Sequence, residues 1–139
     1  LDFDLNLATS DSKENMFYYI QYAHARIFSL IKKYKASNTE IPTTPDSIID
    51  GSYKQCDKLI HEISRYPSIV KRSSTSLHPH LIIFYLKDLA HIFHSFYNDN
   101  PVLTETQDNL NSIIVCLGAV KSVIANGLEL LGIEPMEKM

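Results

Sequence analysis

The chain has no tryptophan, four glycines and two cysteines among its 139 residues. So little glycine leaves no Gly-rich loop able to cradle a phosphate, and no GxSxG elbow is present. Cys56 and Cys116 stand alone, without metal-ligand spacing, so a reduced, cytoplasmic protein is a simpler reading than a single disulfide. No uninterrupted apolar stretch reaches the roughly 18 residues of a membrane span. The most apolar run, Ile113 to Val120, is cut by Lys121 and then Asn126. A basic segment followed by an apolar one is also missing, so no signal peptide and no membrane association are expected. Positive charge is not in excess. The formal net charge of −3 argues against binding nucleic acid through a large positive field. It leaves room for recognition of an RNA loop by stacking and shape. The opening, LDFDLNLATSDSKEN, has no initiator methionine and suggests a piece of a longer protein.

What is present is ordinary for a globular domain: 45% apolar and 21% charged residues, in a length that suits one compact core. The apolar residues recur at helical spacing and nowhere alternate as in a sheet. A polar loop, Ser10 to Asn15, leads into a first helix from about Met16 to Tyr34, with Asn15 as its cap. Ile20, Ala23, Ile27, Leu30, Ile31 and Tyr34 define its core face. A long connection, Lys35 to Gly51, carries Pro42 and Pro45, with room for a turn of helix at Asp46 to Asp50. A second helix covers about Tyr53 to Arg65, and Pro67 closes it and opens a short one through Ile69 and Val70. A third runs from Leu77 or Pro79 to Tyr97 and stops at Asn98-Asp99-Asn100-Pro101. The last spans about Thr104 to Leu131, with Gly132 suited to the position after it. Its middle is apolar nearly all round, which marks the central helix. The expected fold is all-α, a bundle of four main helices plus short ones.

The chemistry of enzymes is not visible. The sixteen carboxylates form no recognisable acid–base pair, and no catalytic residue is assigned. His91 and His94 have the spacing of two metal ligands, but they share a face with Lys87, Asp88 and Ser95. A solvated polar face accounts for them better than a metal, since a third ligand is missing. His78-Pro79-His80 reads as a helix-start turn, and His24 as a partly buried, hydrogen-bonded histidine. One pattern stands out on the first helix. Tyr22, Arg26, Ser29 and Lys33 form a stripe turned away from the core. Aromatic and cationic groups in that order suit stacking on an unpaired base while holding the next phosphate. Coverage of the same face by another element, with Tyr22 half buried, explains the composition at least as well.

Three segments bear on that choice. YYIQYAHARI (Tyr18 to Ile27) resembles the YxQYAHAR signature that opens the C-terminal domain of arginyl-tRNA synthetases. HPHLIIFYLKDLAHIFHSFYND (His78 to Asp99) is similar to that domain's middle helix, and VIANGLELLGIEPMEKM (Val123 to Met139) to its ending. They occur in the family's order and at about its separations. The resemblance implies the all-helical anticodon-binding domain called DALR, here residues 11–139, with residues 1–10 as the exit from a class I catalytic domain. Neither class I catalytic signature occurs in this chain. No cofactor is therefore expected on it, while ATP and Mg would serve the catalytic domain of the full-length arginine–tRNA ligase.

The same resemblance implies site residues. Tyr22 and Arg26 match the family's tyrosine and arginine that meet the anticodon loop. Tyr97 matches another aromatic of that surface, and Met139 the terminal methionine that packs beside an anticodon base. The loop Asp11 to Asn15, with Lys13 as its cation, takes the place of a loop that approaches the anticodon. Lys33 comes from the stripe and not from the resemblance, and would hold phosphate beside Arg26. Two positions depart from the pattern: Met16 stands where many members have Pro, and Ser112 near a position that often carries Arg. The expected partner is the anticodon loop of arginine tRNA, bound by a monomer. The alternatives are a related class I synthetase, such as the cysteinyl enzyme, and a helical protein-interaction module.

Overall fold

The computed structural model describes residues 6, 9, 10, 14–37, 56–100 and 107–139, without the side chains of 107–109. Lys13, the segment 1–5, the connection with Pro42, Pro45 and Gly51, the start expected at Tyr53, Pro101 and Thr104 lie outside the described residues.

Helix α1 (Met16–Ser37) begins where the cap was expected. The backbone N–H groups of Phe17 and Tyr18 donate to Asn15 Oδ1 at 3.1 and 3.4 Å, which satisfies two of the donors that a helix start leaves open. Asn15 Nδ2 donates in turn to the Ser10 carbonyl at 2.9 Å. Ile20, Ala23, Ile27, Leu30 and Tyr34 are buried as expected, and Ile31 is partly buried.

Helices α2 (Asp57–Ser64) and α3 (Tyr66–Ser76) follow almost without a break, with Pro67 in the first turn of α3, where its missing N–H costs nothing. The Tyr85 hydroxyl donates to the Glu62 carbonyl at 2.9 Å and ties α2 to the next helix. Helix α3 ends at Leu77, which has φ of 56°, with the His78 N–H bonded back to the Ser73 carbonyl at 3.0 Å. That left-handed position suits glycine, and a leucine there is strained. Its side chain is 84% exposed, so it contributes little packing in return. Leu77→Gly is therefore expected to raise stability by about 0.5–1 kcal/mol. The urea midpoint measures this, and an unchanged or lower midpoint would contradict it.

The His78-Pro79-His80 turn opens helix α4 (His80–Asp99), which stops at Asn100, near the expected place. Helix α5 (Gln107–Leu130) closes as expected on Gly132, at φ of 74°. The Gly132 N–H bonds the Glu129 carbonyl and the Ile133 N–H the Leu128 carbonyl, at 2.9 and 3.0 Å. This paired closure turns the chain sharply back, and the residues after it run along α1.

Helix α4 packs against all four others, and α5 against α1, α2 and α4. Phe93, Leu86 and Leu89 of α4 meet Ile113, Leu117, Ile124 and Leu128 of α5 in one fully buried cluster. Burying each such side chain contributes roughly 1.5–3 kcal/mol. A Cβ on Gly127 would sit 2.8 Å from Leu86 Cδ2, so glycine lets α5 approach α4 closely there. The stretch Leu110–Leu130 is long and apolar enough to cross a membrane, with a mean hydropathy of 1.7. Burial in the core accounts for that composition, with Ile113, Ile114, Leu117, Val120, Ile124 and Leu128 all buried. The helix that packs most widely is nevertheless α4 and not, as expected, this one. The fold is all-α, with no strand among the described residues.

Candidate nucleic-acid interface

Tyr22 and Arg26 lie one turn apart on α1, and both lean toward the neighbouring α4. The Arg26 guanidinium is centred 3.9 Å from the ring centroid of Tyr97, near the end of α4. It lies 5.6 Å from the ring of Tyr22 and donates from Nη1 to the Tyr22 hydroxyl at 3.3 Å. A guanidinium held between two aromatic rings gains cation–π attraction, about 0.5–1 kcal/mol at exposed sites and more where water is excluded. Its rotamer is fixed before any ligand arrives.

The aromatic surface continues beneath and beside that pair. The Tyr22 ring stacks on His94 of α4 at 5.4 Å, and Tyr18 lies parallel to Tyr22 at 6.5 Å. Tyr19 also meets His94, tilted, at 4.8 Å. Tyr18, Tyr22 and Arg26 on α1 and His91, His94, Ser95 and Asn98 on α4 line an open cleft of about 450 Å³. Tyrosine and histidine rings, the Ser95 hydroxyl, the Asn98 amide and the Arg26 guanidinium share its lining. That composition suits a planar, polar-edged group beside an anionic one.

The geometry changes two expectations. The stripe is not turned wholly away from the protein. Tyr22 and Arg26 are partly buried in the groove between α1 and α4, whereas Ser29 and Lys33 are exposed further along. At 1.5 Å per residue, Lys33 stands about 10 Å beyond Arg26 along the helix axis. It joins the face as a separate charge. His94 is not on a solvated polar face. It is buried against Tyr19, Tyr22 and Phe93, because α4 has partners on several sides and its buried arc extends past the regular core stripe. Only His91 of that pair is exposed. Among the described residues, no three His, Cys, Asp or Glu side chains gather as metal ligands would.

The remaining candidates fall at the edges. Tyr97 is partly buried beneath Arg26. Asn15 caps α1 and donates to the Ser10 carbonyl, and Lys13 lies outside the described residues. Met139 is 50% exposed at the chain end. Ser112, flagged as a departure, is buried in α5 and so contributes to packing.

Two residues of the signature do something that spacing alone did not reveal. Gln21 Nε2 donates to the Glu134 carbonyl, and Gln21 Oε1 accepts from the Met136 N–H, both at 2.8 Å. His24 Nδ1 lies 2.7 Å from the Met136 carbonyl, so that nitrogen carries the proton and donates. Burial is the main cause that holds His24 below its ordinary pKa of 6.5; Lys121 adds to it, while the Met136 bond and Glu137 oppose it. The ring is therefore neutral at neutral pH. His24 is buried and hydrogen-bonded as expected, and its partner lies in the C-terminal tail. A buried Gln beside a buried His, on a helix whose core face was already complete, was the available signal.

With the geometry in place, the comparisons are specific. The chain is 41% identical over 143 aligned residues, covering 100% of its length, to an arginine–tRNA ligase of Coxiella burnetii strain RSA 331. It is 38% identical over 141 residues to one from Paraburkholderia phymatum, covering 99% of its length. The chain spans about a quarter (24% and 23%) of the length of these curated relatives. Among solved structures, it superposes on a crystal structure described as an arginyl tRNA synthetase from Campylobacter jejuni, with a TM-score of 0.83 and 30% identity, covering 100% of this chain and 30% of that one. The arginyl-tRNA synthetase of Thermus thermophilus matches with a TM-score of 0.74 and 26% identity, over 95% of this chain and 22% of that one. The model of the DALR anticodon binding domain matches residues 20–139, which include Tyr22, Arg26, Tyr97 and the clamped C-terminal tail. On its sequence, its helical order and this superposition, the chain belongs to the DALR anticodon binding domain family.

Proposed function

We propose that this chain is the anticodon-recognition part of an arginine–tRNA ligase and binds the anticodon loop of arginine tRNA across the cleft between α1 and α4. The observation that carries the reading is Arg26 locked over Tyr97 beside Tyr22, at an aromatic-lined cleft. An unstacked base finds ring faces in Tyr22 and Tyr18, and the phosphate next to it finds Arg26. Lys33 and Lys13 add charge along the flanking backbone, Asn15 holds the loop on one side, and Met139 completes the surface. The acidic net charge makes binding depend on these few contacts, so affinity falls shallowly with salt, about 0.7 log units per tenfold for each phosphate contact.

In the whole protein, this domain orients the tRNA so that its acceptor end reaches a catalytic domain, with residues 1–10 as the link. That domain takes ATP and Mg and performs the ligation. The protein acts as a cytoplasmic monomer.

The test is a low-salt titration with a fluorescent anticodon stem-loop of arginine tRNA, beside a cysteine one. A preference for the arginine loop is expected, with a loss of about tenfold or more in Tyr22→Ala, since one stacked base is worth roughly 1–3 kcal/mol. Equal affinity for both loops, or no change in the variant, would contradict the proposal.

A further inference from the structure

The Gln21 and His24 clamp touches no part of the cleft, yet it lies on the same two turns of α1 as Tyr22 and Arg26. At 100° per residue, the core face of Ile20, Ala23 and Ile27 is followed round the helix by His24, Gln21 and Ala25, and then by Tyr22 and Arg26. Ala25 is only 5% exposed although it points away from the core residues. Helix α4, with Tyr97 and His94, borders the open face on its far side. The clamped tail borders it on the near side. Three residues separate Met136 from the chain end, a reach of about 10 Å at most. A third of the circumference of a helix about 10–12 Å wide is of the same size.

From this we infer that Gln21 and His24 are positioning residues for RNA: by clamping Glu134 and Met136 they seat the C-terminal tail beside the recognition cleft, on the side of α1 away from α4. The inference rests on the function proposed above. The bonding explains why two polar side chains, 7% and 3% exposed, are kept on a helix otherwise packed with apolar groups. Gln21 meets the tail as a neighbouring peptide group would, donating to one carbonyl and accepting from the N–H two residues on. His24 takes up the carbonyl of the same Met136. Both bonds of Met136 are thereby used, so this residue can neither rotate nor slide. Residues 137–139 beyond it start from a fixed point. Without the clamp, the six residues after Ile133 would be free to fluctuate, and ordering them would have to be drawn from the binding energy.

The test compares four variants of this chain in the arginine stem-loop titration. His24→Leu removes the donor to Met136, and His24→Asn restores a donor near the position of Nδ1. Gln21→Glu removes the donor to Glu134 and sets a carboxylate against that carbonyl. Met136→Pro deletes the N–H from the tail side and leaves every core residue in place. Carboxypeptidase digestion reports release of the tail independently of RNA. The expected result is tail release and about a tenfold loss of affinity in His24→Leu, Gln21→Glu and Met136→Pro, with recovery in His24→Asn. In a chain truncated after Ile133, Gln21→Glu and His24→Leu should cause no further loss. Released tails with undiminished RNA affinity, or the same loss in the truncated background, would overturn the inference while leaving the function in place. Failure of the unaltered chain to bind would overturn the function, and the inference with it.

Discussion

Phe93→Ala is expected to lower the unfolding free energy by about 3–5 kcal/mol, the usual cost of emptying an aromatic site in a core. Phe93 is 0% exposed and is the largest of the fully buried side chains. Its loss opens the centre of α4, where α1 and α5 also meet, and the closely packed helices cannot collapse into the space without moving. Domains of this size have about 5–15 kcal/mol of stability in total, so the variant should stand near the edge of folding. The effect should also reach the cleft. The Phe93 ring lies 5.2 Å from His94 and 6.1 Å from Tyr97, one stacked on Tyr22 and the other the seat of Arg26. Urea unfolding measures the first part, and stem-loop binding at low temperature, where the variant is still folded, measures the second. A cost below about 2 kcal/mol would mean that the core can repack around the vacancy.

Arg26→Glu should weaken RNA binding by about a hundredfold, because a charge-assisted contact worth roughly 1.5–3 kcal/mol is replaced by repulsion. The log–log salt slope should fall by about 0.7, the share of one phosphate contact. Stability should fall too, by about 1 kcal/mol or a few degrees of melting temperature, since the guanidinium's attraction to the rings of Tyr97 and Tyr22 is lost. From the stripe alone, a stable but non-binding variant and a destabilised one were alternatives. A half-buried arginine that faces both the rings and the open cleft makes them concurrent. Arg26→Lys separates the two parts: it should keep the salt slope and lose affinity, because an ammonium cannot stack flat on a ring. A binding loss with an unchanged slope in Arg26→Glu would show that Arg26 touches no phosphate.

Much of this was legible in the sequence because single residues with one physical role determine it. Asn15 capped α1, Pro67 opened α3 and Gly132 closed α5, as their side chains or the lack of one require. The pairing of Tyr22 with Arg26 followed from a spacing of four. What could not be read was lateral. His94 was placed with its exposed neighbours because a single helix does not reveal how many others will surround it, and α4 is surrounded on several sides. The placement of Tyr97 under Arg26, rather than merely near it, also depends on how two helices settle against each other. The tail was the larger omission. Gln21 and Glu134 are 113 residues apart in sequence, and no local pattern connects them.

The placement of Gln21 and His24 on the same turns as Tyr22 and Arg26 has a consequence for exchanging parts between related chains. One residue inserted or deleted between Tyr22 and His24 turns Gln21 and Tyr22 by 100° about the helix axis relative to His24 and Arg26. Both the clamp on the tail and the aromatic–guanidinium pair would then be split. The helix and the last six residues of the chain are thus a single cassette. A chimera that transplants α1 without its matching C-terminus carries the cleft's tyrosines and arginine but leaves Gln21 and His24 without their partners in the tail.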